Sequence, residues 1–204
     1  ECKRWGKFWL LNGNTWAGIP VFFKSCQKRS LMPHHSEPPQ QQSSQMKPHA
    51  RRTFKSREEL ISYVSNGHDV QYTFFWGHQK PASGVAKSCF SQWYESAFTD
   101  GAQRYLTAEH YMMAKKAELF GDSITKDRIL ACNTPDQAKK LGRTVAGFND
   151  EVWANHRFDI VISANLAKFS QNPTLKNFLL GTGDRVLVEA SPVDNIWGIG
   201  LAED

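Results

Sequence analysis

The sequence predicts a mainly α-helical fold with a minor β component, and three observations carry that prediction. Capping residues stand directly before apolar-periodic segments at Ser56, Thr107, Thr134 and Asn149. Residues 150–169 carry Trp153, Ile160, Val161, Ala164 and Ala167 at mostly helical spacing, as a long helix packed on a core requires. Only the short runs 72–76, 90–94 and 185–190 have the β-branched, aromatic or alternating character of strands.

Taken in order, the elements begin near Ser56. There Ser-Arg-Glu-Glu forms a capping box with Glu59, and Leu60, Ile61 and Val64 follow as the apolar face of a short helix. Residues 72–76 suit a strand, and 90–94 suit a second one after a Gly/Ser/Lys loop, so the two are expected to pair. Thr107 caps the next helix and Gly121 stops it. Thr134-Pro135 opens a helix running to about Arg143, because proline at the first position gives up no hydrogen bond. The long helix from Asn149 comes next, then a short one from Asn172-Pro173. A strand over 185–190 is broken by Ser191-Pro192 ahead of the loop 193–200. The sequence contains no internal repeat.

Charge divides the chain unevenly. The net charge is +5, yet residues 1–57 hold eleven Lys/Arg against two acids, leaving fourteen against eighteen for residues 58–204. Basicity therefore belongs to a front segment, residues 1–55, and the domain expected over 56–204 is mildly acidic, which argues against a broad nucleic-acid surface on it. The front segment is expected to be largely disordered, above all residues 31–50, rich in Pro, Gln, Ser and His, since they carry too little apolar surface to offset the entropy of ordering. The aromatic-rich residues 1–30 leave three readings open: a docking segment, an accessory strand pair, or sequence outside the domain. A basic tail touching nucleic acid and a solvated linker are both compatible with the charge.

Four cysteines, Cys2, Cys26, Cys89 and Cys132, show no CxxC or Cys/His spacing, so free thiols in a reducing compartment are expected and a zinc site is not. His34-His35 reads as a surface pair rather than a metal site. No apolar run approaches the roughly 20 residues needed to span a bilayer, so the chain is expected to be soluble and cytoplasmic, with no membrane partner. The first residue is Glu, not Met, which allows for a missing true N-terminus and any targeting signal on it.

Chemistry is concentrated in residues 107–120. Glu109 and Lys116 lie seven residues apart, about 700° around a helix, so they project within about 20° of each other two turns apart. Met112, Met113, Leu119 and Phe120 share that face. Tyr111, Ala114, Lys115 and Glu118 form the opposite one, expected to be wet. A carboxylate and an amine on a core-facing stripe either close a structural ion-pair network or border a cavity where burial tunes their proton affinity. The loop 193–200 adds Asp194, Asn195, Trp197, Gly198 and Gly200: glycine admits close backbone approach and Trp offers a stacking plane, though a turn anchored by a buried Trp would read the same way. P-loop, GxGxxG, GxSxG and HExxH patterns are all lacking, which removes the simplest support for triphosphate hydrolysis, hydride transfer, serine hydrolysis and zinc proteolysis. No cofactor is expected.

The ordered series FFWGH (74–78), FSQWY (90–94), TAEHYMMAKKAELFGD (107–122), KKLGR (139–143), LAKF (166–169) and LVEASPVDNIWGIGL (187–201) resembles the YbiA-like, or NADAR, family. The series departs from the family at two points: Phe75-Trp76 replaces an aromatic-then-Tyr opening, and Ser91-Gln92-Trp93 replaces Ser-Asn-Phe. The resemblance implies a single compact YbiA-like domain and cleavage of N-glycosidic bonds between ribose and a base. Two substrate classes come with it: ADP-ribose on guanine bases, in free or nucleic-acid form, and phosphoribosylamino-pyrimidine intermediates of riboflavin synthesis. By motif, Glu109, Trp153, Asp194 and Trp197 match positions needed for activity, Lys116 the lysine after the Glu-His motif, and Arg143 the Gly-Arg.

The catalytic set expected from these readings is Glu109, Lys116 and Asp194. The substrate-binding set is Phe75, Trp76, Ser91, Arg143, Trp153, Asn195, Trp197 and Gly198. Loss of the base builds oxocarbenium-like charge at C1′, which a carboxylate stabilises while a second acid protonates the leaving group. Lys116 is also placed to attack the open-chain aldehyde as a Schiff-base nucleophile. Arg143 would grip phosphate bidentately, or else serve a helix C-terminus. A non-catalytic module that binds ADP-ribose or a related nucleotide is the alternative. Oligomeric state is not legible in these residues.

Overall fold

Helix α2, Ala108–Leu119, is the element against which three other helices pack. The computed structural model describes residues 3–12, 15–24, 54 and 57–191, with side chains at 54 and 59–191. In chain order the elements are β1 (Lys3–Asn12), β2 (Thr15–Lys24), α1 (Arg57–Ser65), β3 (Tyr72–Phe75), a 3-10 turn (Lys87–Phe90), β4 (Phe98–Asp100), β5 (Gln103–Tyr105), α2, α3 (Ser123–Ala131), α4 (Pro135–Gly142), α5 (Asp150–Gln171), α6 (Pro173–Gly181) and β6 (Val186–Glu189). The mainly helical class with a minor β part is what the capping pattern called for. β1 and β2 pair antiparallel, from Lys3 opposite Lys24 to Asn12 opposite Thr15, the strand-pair form among the three left open for the front segment. The stretch 31–50 lies outside the described residues.

Local sequence explains most helix ends. The Thr107 hydroxyl accepts from the His110 amide, the Thr134 hydroxyl caps α4 through Gln137, and the Asn149 carboxamide caps α5 through Val152. Gly121 ends α2 in a left-handed conformation, φ +73°, that a side chain would disfavour. α3 was not expected from the sequence. Asp122 caps it through Thr125, and the same carboxylate accepts from the Ala146 amide at 2.9 Å, so one side chain closes two chain segments.

The expected wet side of α2 needs correction. α3, α4 and α5 all contact the helix, and Tyr111 and Ala114 are buried along with Met112, Met113 and Ala117. Tyr111 packs edge-on to Tyr105 at 4.8 Å, and its hydroxyl donates to Asp100 at 3.1 Å. Only Lys115 and Glu118 keep the polar character of that face, the former bridging to the latter at 3.4 Å. A helix packed against three others keeps only a narrow solvent-facing strip, and periodicity cannot report how many neighbours will come.

Pairing of 72–76 with 90–94 is likewise overturned. β3 pairs in parallel with β6, Tyr72 opposite Val186 and Phe75 opposite Glu189. Residues 87–90 instead coil into the 3-10 turn, which buries Cys89 and Phe90. Phe90 meets Phe75, Phe169 and Phe178 at ring distances of 5.6 to 6.3 Å. An aromatic run buried on several sides reads like a strand in sequence but has no ladder to join. Among the described residues, no helix is long and apolar enough to cross a membrane.

Candidate active site

A cavity of about 160 Å³ opens over the inward face of α2. Its floor is Glu109, Met112, Met113 and Lys116; one wall is the turn Ser91, Gln92 and Trp93; the facing wall is Lys139, Gly142 and Arg143 of α4; Trp153 of α5 and Glu189 at the end of β6 complete it. The helical spacing that put Glu109 and Lys116 on one face thus places both in one hollow.

Glu109 occupies the first turn of α2, where the helix dipole favours an anion. Its residue is 3% exposed. Its amide donates to the Gln92 carbonyl at 3.1 Å, so the turn wall caps the helix start and fixes the position of this carboxylate. Neighbouring His110 is held from the other side, its Nδ1 sharing a hydrogen bond with the Thr107 hydroxyl at 2.8 Å.

Lys116 is half-buried, and its Nζ donates to the Gly142 carbonyl at 2.8 Å. The ammonium lies 4.0 Å from the centre of the Phe148 ring and 5.6 Å from that of Trp153. Burial lowers its proton affinity below that of an ordinary lysine, with Asp150 partly opposing the shift. That direction is what a nucleophilic amine requires. Across the cavity, Lys139 stands 5.5 Å from the centre of the Trp93 ring.

Gly142 is the tight point of the α4 wall. A Cβ there would fall 2.0 Å from the sulfur of Met113 and 2.8 Å from its Cγ, so the absence of a side chain lets α4 approach α2 and present the carbonyl that Lys116 uses. Arg143 follows as the C-cap residue of α4, within the lining, compatible with both of the roles its sequence position left open.

Of the expected site residues, Ser91, Glu109, Lys116, Arg143 and Trp153 come together here. Phe75 does not: it is a core residue, 4% exposed and packed against Phe90. Trp76 is 62% exposed and does not line the cavity. Phe75 is the last residue of β3 and turns into the core, whereas Trp76 follows the strand's end. Asp194, Asn195, Trp197 and Gly198 lie outside the described residues. Trp93, whose ring stands out in the sequence beside Tyr94 and Trp153, lines the cavity, and Gln92, Lys139, Gly142 and Glu189 line it without having been singled out. For Lys139 the signal was present, because it sits four residues before Arg143 on the same helical face. Among the described residues, no group of three or more His, Cys, Asp or Glu could hold a metal ion.

A mainly helical fold that carries a charged, tryptophan-walled hollow on α2 is the class of protein that fold and cavity define. A family model for the NADAR domain matches residues 74–204, and the chain belongs to that family. It is 48% identical over 136 residues to "N-glycosidase R617" of Acanthamoeba polyphaga mimivirus, covering 64% of this chain and 79% of that protein. It is 39% identical over 101 residues to the "Riboflavin biosynthesis protein PYRR, chloroplastic" of Zea mays, 46% of this chain but 16% of the maize protein. Among solved structures, the NMR structure of the E. coli protein YbiA superposes with a TM-score of 0.53 at 26% identity, covering 65% of this chain and 76% of the other.

Proposed function

We propose that the chain is an N-glycosidase that hydrolyses the bond between ribose C1′ and a base nitrogen of a nucleotide-like substrate, with Glu109 and Lys116 as its reacting groups. The observation that carries this reading is their joint presence in one cavity with Trp153 and Arg143. The name of the mimivirus relative supports the reaction class, and that of the maize relative supports a substrate from riboflavin biosynthesis. The substrates it proposes are ADP-ribose on guanine, free or in nucleic acid, and a phosphoribosylamino-pyrimidine.

The amine of Lys116, with its proton affinity lowered, attacks C1′ as the base departs with a proton. Opening of the ribose ring, with O4′ taking the bonding pair and a proton, turns this C1′–N adduct into an imine, and water hydrolyses the imine to release the phosphorylated sugar and restore the amine. Glu109 stabilises positive charge at C1′ and takes the proton from the attacking water. Arg143 and Lys139, one turn apart on α4, supply cations for a phosphate. Trp153 and Trp93 supply flat faces for a base or sugar. Asp194 is proposed as the acid that protonates the base or orients ribose hydroxyls. Trp197, Asn195 and Gly198 are proposed to close the ligand in.

Incubation with ADP-ribosylated guanosine DNA and, separately, with the phosphoribosylamino-pyrimidine, read by mass detection of released sugar and base, tests the proposal. Turnover by the wild type, lost in Glu109→Gln and in Lys116→Ala while ligand binding persists, is the expected result. Borohydride should trap a covalent adduct at Lys116 if the imine route operates. Normal rates in both variants would overturn the assignment. Binding of ADP-ribose by calorimetry with no product from either substrate would favour the alternative, a nucleotide-binding module, for which the same cations and indoles suffice.

A further inference from the structure

We propose that Lys168 is a positioning residue of the cavity: from α5 it fastens the turn 89–93, and through the Gln92 carbonyl that turn holds the first turn of α2, where Glu109 sits. Lys168 is wholly buried, with 0% exposure. Its Nζ donates to the Cys89 carbonyl at 2.7 Å and to the Ser91 carbonyl at 2.8 Å. These carbonyls stand where the 3-10 turn ends, and no sheet ladder runs through this segment to take them. Ring faces also stand near the ammonium, Phe169 at 5.1 Å and Tyr94 at 5.6 Å, and Cys89 and Glu189 are close enough to act on its charge.

A buried ammonium that spends its hydrogen bonds on two carbonyls is a costly way to fill a core, because an apolar side chain of similar length would fill the same volume without being desolvated. What the apolar side chain could not do is donate to the Cys89 carbonyl and join the Tyr94 amide, at 3.2 Å, on the Ser91 carbonyl. The segment so held contributes Ser91, Gln92 and Trp93 to the cavity, and its Gln92 carbonyl receives the Glu109 amide at 3.1 Å. Lys168 therefore reaches Glu109 through one turn of backbone without itself lining the cavity. Burial brings its proton affinity down to about 7, with Cys89 and Glu189 opposing the shift. The neutral amine still carries two N–H donors for the two carbonyls, so hydrogen bonding rather than charge is what the site needs from it.

The proposal rests on the N-glycosidase reading for its consequence on turnover, but its structural half can be tested without any substrate. Lys168→Met in the full chain removes both donors at similar volume, and Val161→Ala on the same helix is the control for simple core damage. Hydrogen exchange at the Glu109 amide should speed up by about tenfold or more in Lys168→Met relative to Val161→Ala, compared at equal distance below each melting temperature. On a ribosylated base, kcat should fall by about tenfold or more with KM changed less than about threefold, as expected when a reacting group is displaced. Should Lys168→Met fail to fold, Lys168→Gln carries the test: its amide donors restore part of the grip, and exchange at Glu109 should fall between the wild type and full loss. Glu109 exchange and kcat no different from those of the Val161→Ala control would overturn the proposal. If the wild type itself turns over no ribosylated base, the functional reading fails, and the exchange measurement still decides the role of Lys168.

Discussion

On one side of the cavity the backbone of residues 89–93 forms no ladder and hangs from a lysine 77 residues further along the chain from Ser91; on the other, α4 satisfies its own backbone and is set by how closely Gly142 lets it approach. The irregular wall depends on a buried polar side chain, and the regular wall depends on the lack of a side chain. Both end at the same floor: the first reaches Glu109 through the Gln92 carbonyl, and the second reaches Lys116 through the Gly142 carbonyl. Positions on the first wall should therefore respond to changes in hydrogen bonding and protonation, and positions on the second to changes in volume.

Protonation gives the largest contrast. Lys168 titrates near 7 when folded against an ordinary 10.5, so between those values the unfolded chain holds a proton that the folded chain lacks, and stability rises with pH. Below about 7 both states are protonated and the term is constant. Cys89, pushed up from 9.0 to about 11 by burial, acts the other way above pH 9, which leaves the rise visible between pH 7 and 9. Urea midpoints at pH 7, 8 and 9 should climb in the wild type more steeply than in Lys168→Met. Parallel profiles would remove the first wall from the comparison.

Volume is the lever on the second wall. Gly142→Ala should cost about 1–3 kcal/mol of stability by overpacking and should push Met113 into the cavity. Thermal melts and ligand titration would show both effects. Adding Met113→Ala should return much of the loss, since the clash is with that side chain, and strict additivity of the two changes would refute the close-approach account.

Smaller effects sharpen the picture. Thr107→Ala removes the cap of α2 and should cost about 1 kcal/mol, with Thr107→Ser retaining most of it. Equal loss in both variants would mean that the hydroxyl is not what matters. At the bottom of the scale, Asp136→Asn breaks the exposed Lys140 pair on the outer face of α4, 2.7 Å long, and should change stability by less than about 1 kcal/mol and activity not at all. A marked loss of activity would mean that α4 is held by its outer surface as well as by Gly142.

Caps and breakers made α2, α4, α5 and α6 legible in the residues alone, and the seven-residue spacing was enough to put Glu109 and Lys116 side by side. Those features act over one or two turns, within reach of local pattern. α3 escaped notice although Asp122 caps it, and the β4–β5 hairpin did so although Gly101 turns it with φ +57°. The expected strand at 90–94 failed because aromatic content reports burial, and burial alone does not distinguish a ladder from a coiled turn. Phe75 was drawn into the site by its neighbours in sequence, whereas at the end of β3 it turns into the core.

Capping chemistry and helical period, both local properties of the chain, were sufficient to specify the class of fold, the ends of most helices and the acid and amine that share a face. Which strands pair, how many helices surround α2, and that Lys168 takes the carbonyls of Cys89 and Ser91 depend on contacts between segments far apart in the sequence. Such contacts follow from the packing of the whole chain, where burial and hydrogen-bond satisfaction must be met together, and no window of residues contains them.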